Sequence, residues 1–62
     1  MDFSPRSLIK ALEKAGFVFI RQSGSHKVYF KDGHGLISVP CHGDRDIPKG
    51  TYLAIMKLAG LK

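Results

Sequence analysis

The chain has 62 residues, of which 10 are lysine or arginine and 5 are aspartate or glutamate, so its formal net charge is +5. This length predicts one domain over residues 1–62 with a small core, which favours a flat site over a deep pocket. The basic charge suits a polyanion such as nucleic acid, although many short chains are basic without binding one. The single cysteine excludes an intramolecular disulfide, and no apolar run is long enough for a membrane span or signal peptide, so we expect a cytoplasmic protein with no membrane partner.

The N-terminal segment carries the start and stop signals of a helix. Ser4 is a preferred N-cap, and Pro5 fits the first helical position. Leu8 and Leu12 share one apolar face at helical spacing. Gly16 is expected to end the helix in a left-handed conformation. Three basic residues share another face of this helix: Arg6, Lys10 and Lys14. The pattern favours a solvated surface, and a surface that follows the RNA backbone is the second interpretation.

Three segments have the aromatic and β-branched composition of strands: FVFIRQ, HKVYFKD and LISVP. The polar turn Ser23-Gly24-Ser25 separates the first two, and a glycine-rich hairpin turn around His34 separates the last two. Alternation in the middle strand places His26 and Tyr29 on opposite faces. Pro40 limits how far the third strand can pair.

A second helix is predicted in IPKGTYLAIMKLAGL, near the C-terminal end. Pro48 lies near its first turn, and Leu53, Met56 and Ala59 recur at the spacing of an inner face. Gly60 repeats the stop signal expected at the end of the first helix.

The predicted order is therefore α-β-β-β-α, which is an α+β fold. A three-stranded antiparallel sheet must have one face covered, and the two amphipathic helices are the available cover, so both should lie on the same face. This is the layout of the double-stranded RNA-binding domain, and by itself that likeness says little about function.

Four segments, in this order and at these separations, resemble the HicA toxins of bacterial toxin–antitoxin pairs: LIKALEKAGF, GSHKVYF, VPCHGDRDIPKGT and IMKLAGL. The resemblance implies a double-stranded RNA-binding-like fold and a ribosome-independent mRNA interferase that arrests growth. It also implies a HicB-like antitoxin as neutralising partner and mRNA as substrate, with operator DNA contacted only through the antitoxin. The family's catalytic histidine lies in the GSH motif, which corresponds here to His26.

The chemistry of RNA cleavage gives these residues a role. The 2′-hydroxyl of RNA is its own nucleophile, so cleavage needs a base, an acid and phosphate contacts but no metal, and histidine suits the proton transfers. Gly24 permits close approach of backbone, Ser25 can donate to a phosphate oxygen, and Lys27 adds positive charge. The alternative is that His26 only caps the edge of the sheet and packs beside Val28. Without the family resemblance, the residues alone favour this structural role, and with it catalysis is favoured.

Two further histidines are less specific signals. His42, in the loop after the third strand, is a candidate second acid or base, and a solvated loop histidine is the competing interpretation. Whether it lies near His26 depends on the path of the loop. His34 is interpreted as a turn residue, and Tyr29 as a packing residue that could alternatively stack a base.

The spacing of the histidines and the cysteine does not match a metal site, so we expect no metal and no cofactor. Asp44 and Asp46 could bind a cation. The pattern instead predicts that they keep the loop in solvent and stabilise the N-terminus of the following helix. Cys41 is expected to be a small half-buried residue.

The start of the second helix is a candidate phosphate site, because free N–H groups and the positive dipole end attract anions. Lys49 would add charge, and Gly50 and Thr51 would allow close approach with a hydroxyl donor. A routine proline-started helix is an equally good interpretation.

The sequence thus predicts an endoribonuclease toxin. Two alternatives stay open: a non-catalytic module that binds duplex RNA, and a DNA-binding partner subunit.

Overall fold

The computed structural model describes residues 2–43 and 45–61. Five elements follow one another: α1 (Pro5–Lys14), β1 (Val18–Ser23), β2 (His26–Lys31), β3 (Gly35–Pro40) and α2 (Lys49–Leu58). The strands form one antiparallel sheet in the order β1-β2-β3. The predicted α-β-β-β-α order and the α+β class are confirmed. Within the described residues, no helix is long and apolar enough to cross a membrane.

Both ends of α1 form as the sequence predicts. The N–H of Ser7 donates to the Oγ of the N-cap Ser4 at 3.2 Å. At the other end, the N–H of Phe17 donates to the carbonyl of Leu12 at 3.0 Å, and Gly16 has a φ of +103°. This is the Schellman ending, in which a left-handed residue returns the chain onto the helix. It delivers Phe17 into the core at the start of the sheet.

The end of α2 repeats the same geometry. The N–H of Leu61 donates to the carbonyl of Met56 at 2.8 Å, and Gly60 has a φ of +73°. The predicted second stop signal is therefore confirmed.

The predicted inner face of α2 is partly wrong. Tyr52, Ile55 and Ala59 are buried, whereas Leu53 is 42% exposed. Tyr52 sets the rotation of the helix: its ring packs edge-on against Phe3 with centroids 5.1 Å apart, and its hydroxyl lies 3.2 Å from the Oγ of Ser7. The contacts of this aromatic side chain with Phe3 and with α1 outweigh the burial of one leucine.

One face of the sheet packs against the helices. Tyr29, Ile37 and Val39 are buried there, in the same cluster as Leu8 and Leu12 of α1 and the inner face of α2. The register pairs Tyr29 with Ile37 across β2 and β3. The predicted alternation of β2 is confirmed, and the helices occupy the face of Tyr29, opposite to that of His26.

The opposite face, which we call the open face, is not covered by either helix. β1 is an edge strand, and its residues are exposed along its whole length. A β-bulge falls between Phe19 and Arg21, so Arg21 rather than Ile20 pairs with Val28. Because a bulge shifts the alternation by one residue, it turns Arg21 toward the open face, where Val28 also lies.

Candidate active site

The hairpin between β1 and β2 holds His26 at the end of the sheet. Ser23 pairs with His26, which leaves Gly24 and Ser25 as a two-residue loop. Gly24 has a φ of +59°, as the first central residue of a type II′ turn requires. The Nε2 of Gln22 donates to the carbonyl of Gly24 at 3.0 Å and closes the turn. No described atom lies within 4 Å of a Cβ added at Gly24, so its backbone conformation, not crowding, requires glycine here.

A backbone hydrogen bond joins this turn to the loop after β3. His26 pairs with Pro40, the last residue of β3. One residue further on, the N–H of Cys41 donates to the carbonyl of Ser25 at 2.6 Å. The contact between the two segments therefore continues past the end of the ladder, and the next residue, His42, is held beside the turn.

The structure brings His26 and His42 together. Their ring centroids are 5.8 Å apart, with the ring planes at 83°, and both side chains are exposed. The sequence left the position of His42 open, because that position depends on the path of the loop after Pro40. The hydrogen bond from Cys41 fixes this path.

Two exposed imidazoles at this separation can contact one substrate group from two sides. Histidine accepts and donates protons near neutral pH, and a reaction that needs a base and an acid can use one ring for each. His26 lines one end of a shallow open groove over the sheet, so a large substrate can reach the pair without opening the core.

His34 lies at the opposite end of β2, in the turn before β3. Its ring packs edge-on against Phe17 with centroids 5.7 Å apart, and a Cβ added at Gly60 would lie 3.2 Å from its Nε2. The turn position agrees with the sequence prediction. This histidine packs between two chain reversals and is separate from the His26–His42 pair.

Several other candidates are distributed around the fold. Lys27 is half-buried and alternates onto the sheet face opposite His26, and Ser25 is half-buried in the turn. The candidate RNA-tracking residues Arg6, Lys10 and Lys14 are exposed on α1.

The first turn of α2, for which a phosphate site and a routine helix start both stay open, is accessible at the surface. Lys49, Gly50 and Thr51 are exposed, and no described side chain caps the helix at Pro48. The first N–H with a helical partner is that of Tyr52, which donates to the carbonyl of Pro48 at 2.9 Å.

Tyr29 packs in the core, as the favoured interpretation predicts, and the alternative that it stacks a base is wrong. It is 3% exposed and packs edge-on against Phe19 with centroids 5.7 Å apart. Burial raises the pKa of its hydroxyl, so the phenol stays neutral well beyond physiological pH. Tyr29 has this packing role because it lies on the face of the sheet that the helices cover.

Cys41 is half-buried, as expected. Among residues 2–43 and 45–61, no three histidine, cysteine or acidic side chains group so that they could hold a metal ion. Asp46 is exposed in the loop before α2, and the expectation for Asp44 lies outside the described residues.

Comparison with protein-family models identifies the family of this chain. No curated protein matches the chain. A family model described as the HicA toxin of bacterial toxin–antitoxin matches residues 5–61, a range that contains both helices, all three strands and the His26–His42 pair. The chain therefore belongs to the HicA toxin family of bacterial toxin–antitoxin systems.

Proposed function

We propose that this toxin is a metal-independent endoribonuclease that cleaves mRNA without the ribosome, with His26 and His42 as its proton-transfer groups. The observation that carries the proposal is the exposed pair of imidazoles, 5.8 Å apart, where the turn between β1 and β2 meets the loop after β3. The family assigns a toxin, and the net charge of +5 suits a polyanionic target.

The proposed reaction is an internal transfer at phosphorus. One imidazole takes the proton of the 2′-hydroxyl, the 2′-oxygen bonds to phosphorus, and the bond from phosphorus to the 5′-oxygen breaks. The other imidazole gives its proton to the departing 5′-oxygen. The products are a 2′,3′-cyclic phosphate and a 5′-hydroxyl, and exchange with water restores both rings. Each proton and electron pair is accounted for with the substrate and the two histidines alone.

Phosphate contacts complete the proposed site. The Ser25 hydroxyl is positioned by the same turn as His26, and Gly24 leaves the turn open to the substrate. The uncapped first turn of α2, with Lys49, supplies N–H groups and positive charge for a phosphate of the same strand. Lys27 contributes to the field from the other side of the sheet.

We predict that His26→Ala abolishes most of the activity. General acid–base groups contribute about 10²–10⁴-fold, so the cleavage rate of a purified single-stranded RNA in chelator should fall by that factor. His34→Gln is the matched control, since it removes a histidine from the other end of β2. Mass spectrometry of the wild-type products should find the 2′,3′-cyclic phosphate. Full activity of a folded His26→Ala protein would overturn the assignment, and a protein that binds RNA but never cleaves it would favour the duplex-binding alternative.

An RNA with a sulfur leaving group tests whether one of His26 and His42 is the general base and the other the general acid. In an RNA with a 5′-bridging phosphorothiolate, the thiolate departs without a proton, so the acid is no longer needed. We expect His26→Ala and His42→Ala both to be slow on ordinary RNA, by about 10²–10⁴-fold. One of the two should recover on the sulfur substrate, and the recovered variant identifies the acid. If neither recovers, or if His42→Ala is fully active on ordinary RNA, the pair does not work as base and acid.

The salt dependence of binding tests the first turn of α2. Each phosphate contact to a single strand adds about 0.7 to the slope of log affinity against log salt concentration. Lys49→Ala should therefore weaken RNA binding by the inactive His26→Ala protein and flatten its slope by about 0.7. Lys57→Ala removes the same charge from the last turn of the same helix and should leave the slope unchanged. Equal slopes for the Lys49 variant and its parent would remove this phosphate site.

The antitoxin should mask the histidine pair. A HicB-like partner that presents acidic groups next to His26 and Lys27 would exclude RNA and satisfy the positive charge. Diethyl pyrocarbonate should then modify His26 slowly in the complex, while exposed His34 reacts as in the free toxin. Partner at 100 times its dissociation constant should also raise the free energy of unfolding by about 2.7 kcal/mol. Unchanged reactivity of His26 in a complex of inhibited toxin would exclude direct masking.

A further inference from the structure

The open face of the sheet carries a row of exposed apolar side chains. The register aligns Val18, Phe30 and Leu36 across the three strands. These side chains are 55%, 38% and 64% exposed, respectively. Neighbouring apolar side chains left exposed on one surface indicate a binding surface more often than single exposed ones do.

A second row links these residues to the candidate active site. The bulge in β1 places Arg21 opposite Val28, and Val28 pairs with Ser38 of β3. A shallow groove of about 420 Å³ crosses this row, with His26 on one side of the row and Leu36 on the other. The groove therefore combines the apolar side chains of Val28 and Leu36 with the guanidinium of Arg21 and two serine hydroxyls, and it reaches His26.

The charge of this surface favours a polyanion. None of the three strands, all of whose residues the structure describes, contains an aspartate or a glutamate. Arg21 and His26 are the residues of the open face that can carry positive charge. A flat apolar surface with an aromatic ring and a guanidinium, free of carboxylates, has the composition of surfaces on which unpaired bases stack while phosphates are held at the side.

We propose that the open face binds nucleobases of single-stranded RNA next to the cleaved bond. Bases lie against Phe30 and Leu36, and Arg21 contacts the connecting phosphates. The proposal rests on the proposed ribonuclease function, because it uses His26 to place the phosphate. Residues two apart in a strand are separated by about 6.6 Å, so Phe30 lies about 13 Å along β2 from His26, within reach of neighbouring nucleotides of one strand.

This surface also selects the form of the substrate. Bases in a duplex are stacked on each other and paired, so their faces cannot lie on a protein sheet, whereas a single strand can turn its bases outward. The open face therefore directs the enzyme toward unpaired regions of RNA.

An abasic walk along the RNA tests the subsite. The cleavage-inactive His26→Ala protein is titrated with a fluorescent single-stranded oligonucleotide in which one nucleotide at a time lacks its base. We expect one or two neighbouring positions to weaken binding by about 5- to 150-fold, the range for loss of one stacked base. The same substitutions in a Phe30→Leu, Leu36→Ala background should have almost no effect, because the surface that held the base is already altered. Leu58→Ala removes an equally exposed leucine from α2, 69% exposed, and should retain the full abasic effect.

The possible outcomes separate this subsite from the proposed catalysis. Abasic effects that are absent, or equal in the parent and the Phe30→Leu, Leu36→Ala protein, overturn the subsite even if the wild type cleaves RNA. Position-dependent effects that vanish in that background support the subsite even if no cleavage is found. If the Phe30→Leu, Leu36→Ala protein loses antitoxin binding but binds RNA as its parent does, the open face belongs to the protein partner and the proposal is overturned.

Discussion

The pairing of β2 with β3 is the constraint on which both the core and the candidate site depend. The same register sets Tyr29 against Ile37 under the helices and His26 against Pro40 at the end of the sheet. Side chains alternate along a strand, so a slip of one residue would bring His26 to the covered face and lift Tyr29 into solvent. Because burial of the core selects one register, it also positions the histidine. Stability and the placement of the proposed chemistry are therefore not independent in this chain.

Small size explains why the site lies on the surface. With about 60% of its surface buried on folding, a domain of this length has no volume for a deep cavity beside its core. The backbone supplies the precision instead. The turn at Gly24 and the hydrogen bond from Cys41 to Ser25 hold the imidazoles of His26, at the start of β2, and His42, in the loop after β3, 5.8 Å apart. Among the described residues, no buried polar side chain supports them. A polymer substrate can then supply much of the enclosure that a pocket would otherwise provide.

Local signals predicted what local physics decides. The cap at Ser4, the left-handed endings at Gly16 and Gly60 and the alternation of β2 follow from backbone preferences, and all are found. Long-range features were not predictable in the same way. Leu53 and Tyr52 lie on adjacent helical positions, and the contact of Tyr52 with distant Phe3 decides which is buried. The bulge that turns Arg21 to the open face has no glycine or proline to mark it in the sequence. His42 needed the path of a loop, whereas the family resemblance was enough to nominate His26.

The helices cover one face of the sheet and leave the other, the open face, uncovered. The covered surface is taken up by packing, so under the proposed function contact with RNA and inhibition by an antitoxin both use the surfaces that remain: the open face, the hairpin ends and the helix exteriors. His26 lies where the open face meets the hairpin turn, and the ring of His42 lies beside it. A partner that covers either of these regions approaches the path of an RNA strand leading to His26. Under the proposed function, inhibition then needs no conformational change in the toxin, because competition for the uncovered side of a thin sheet is sufficient.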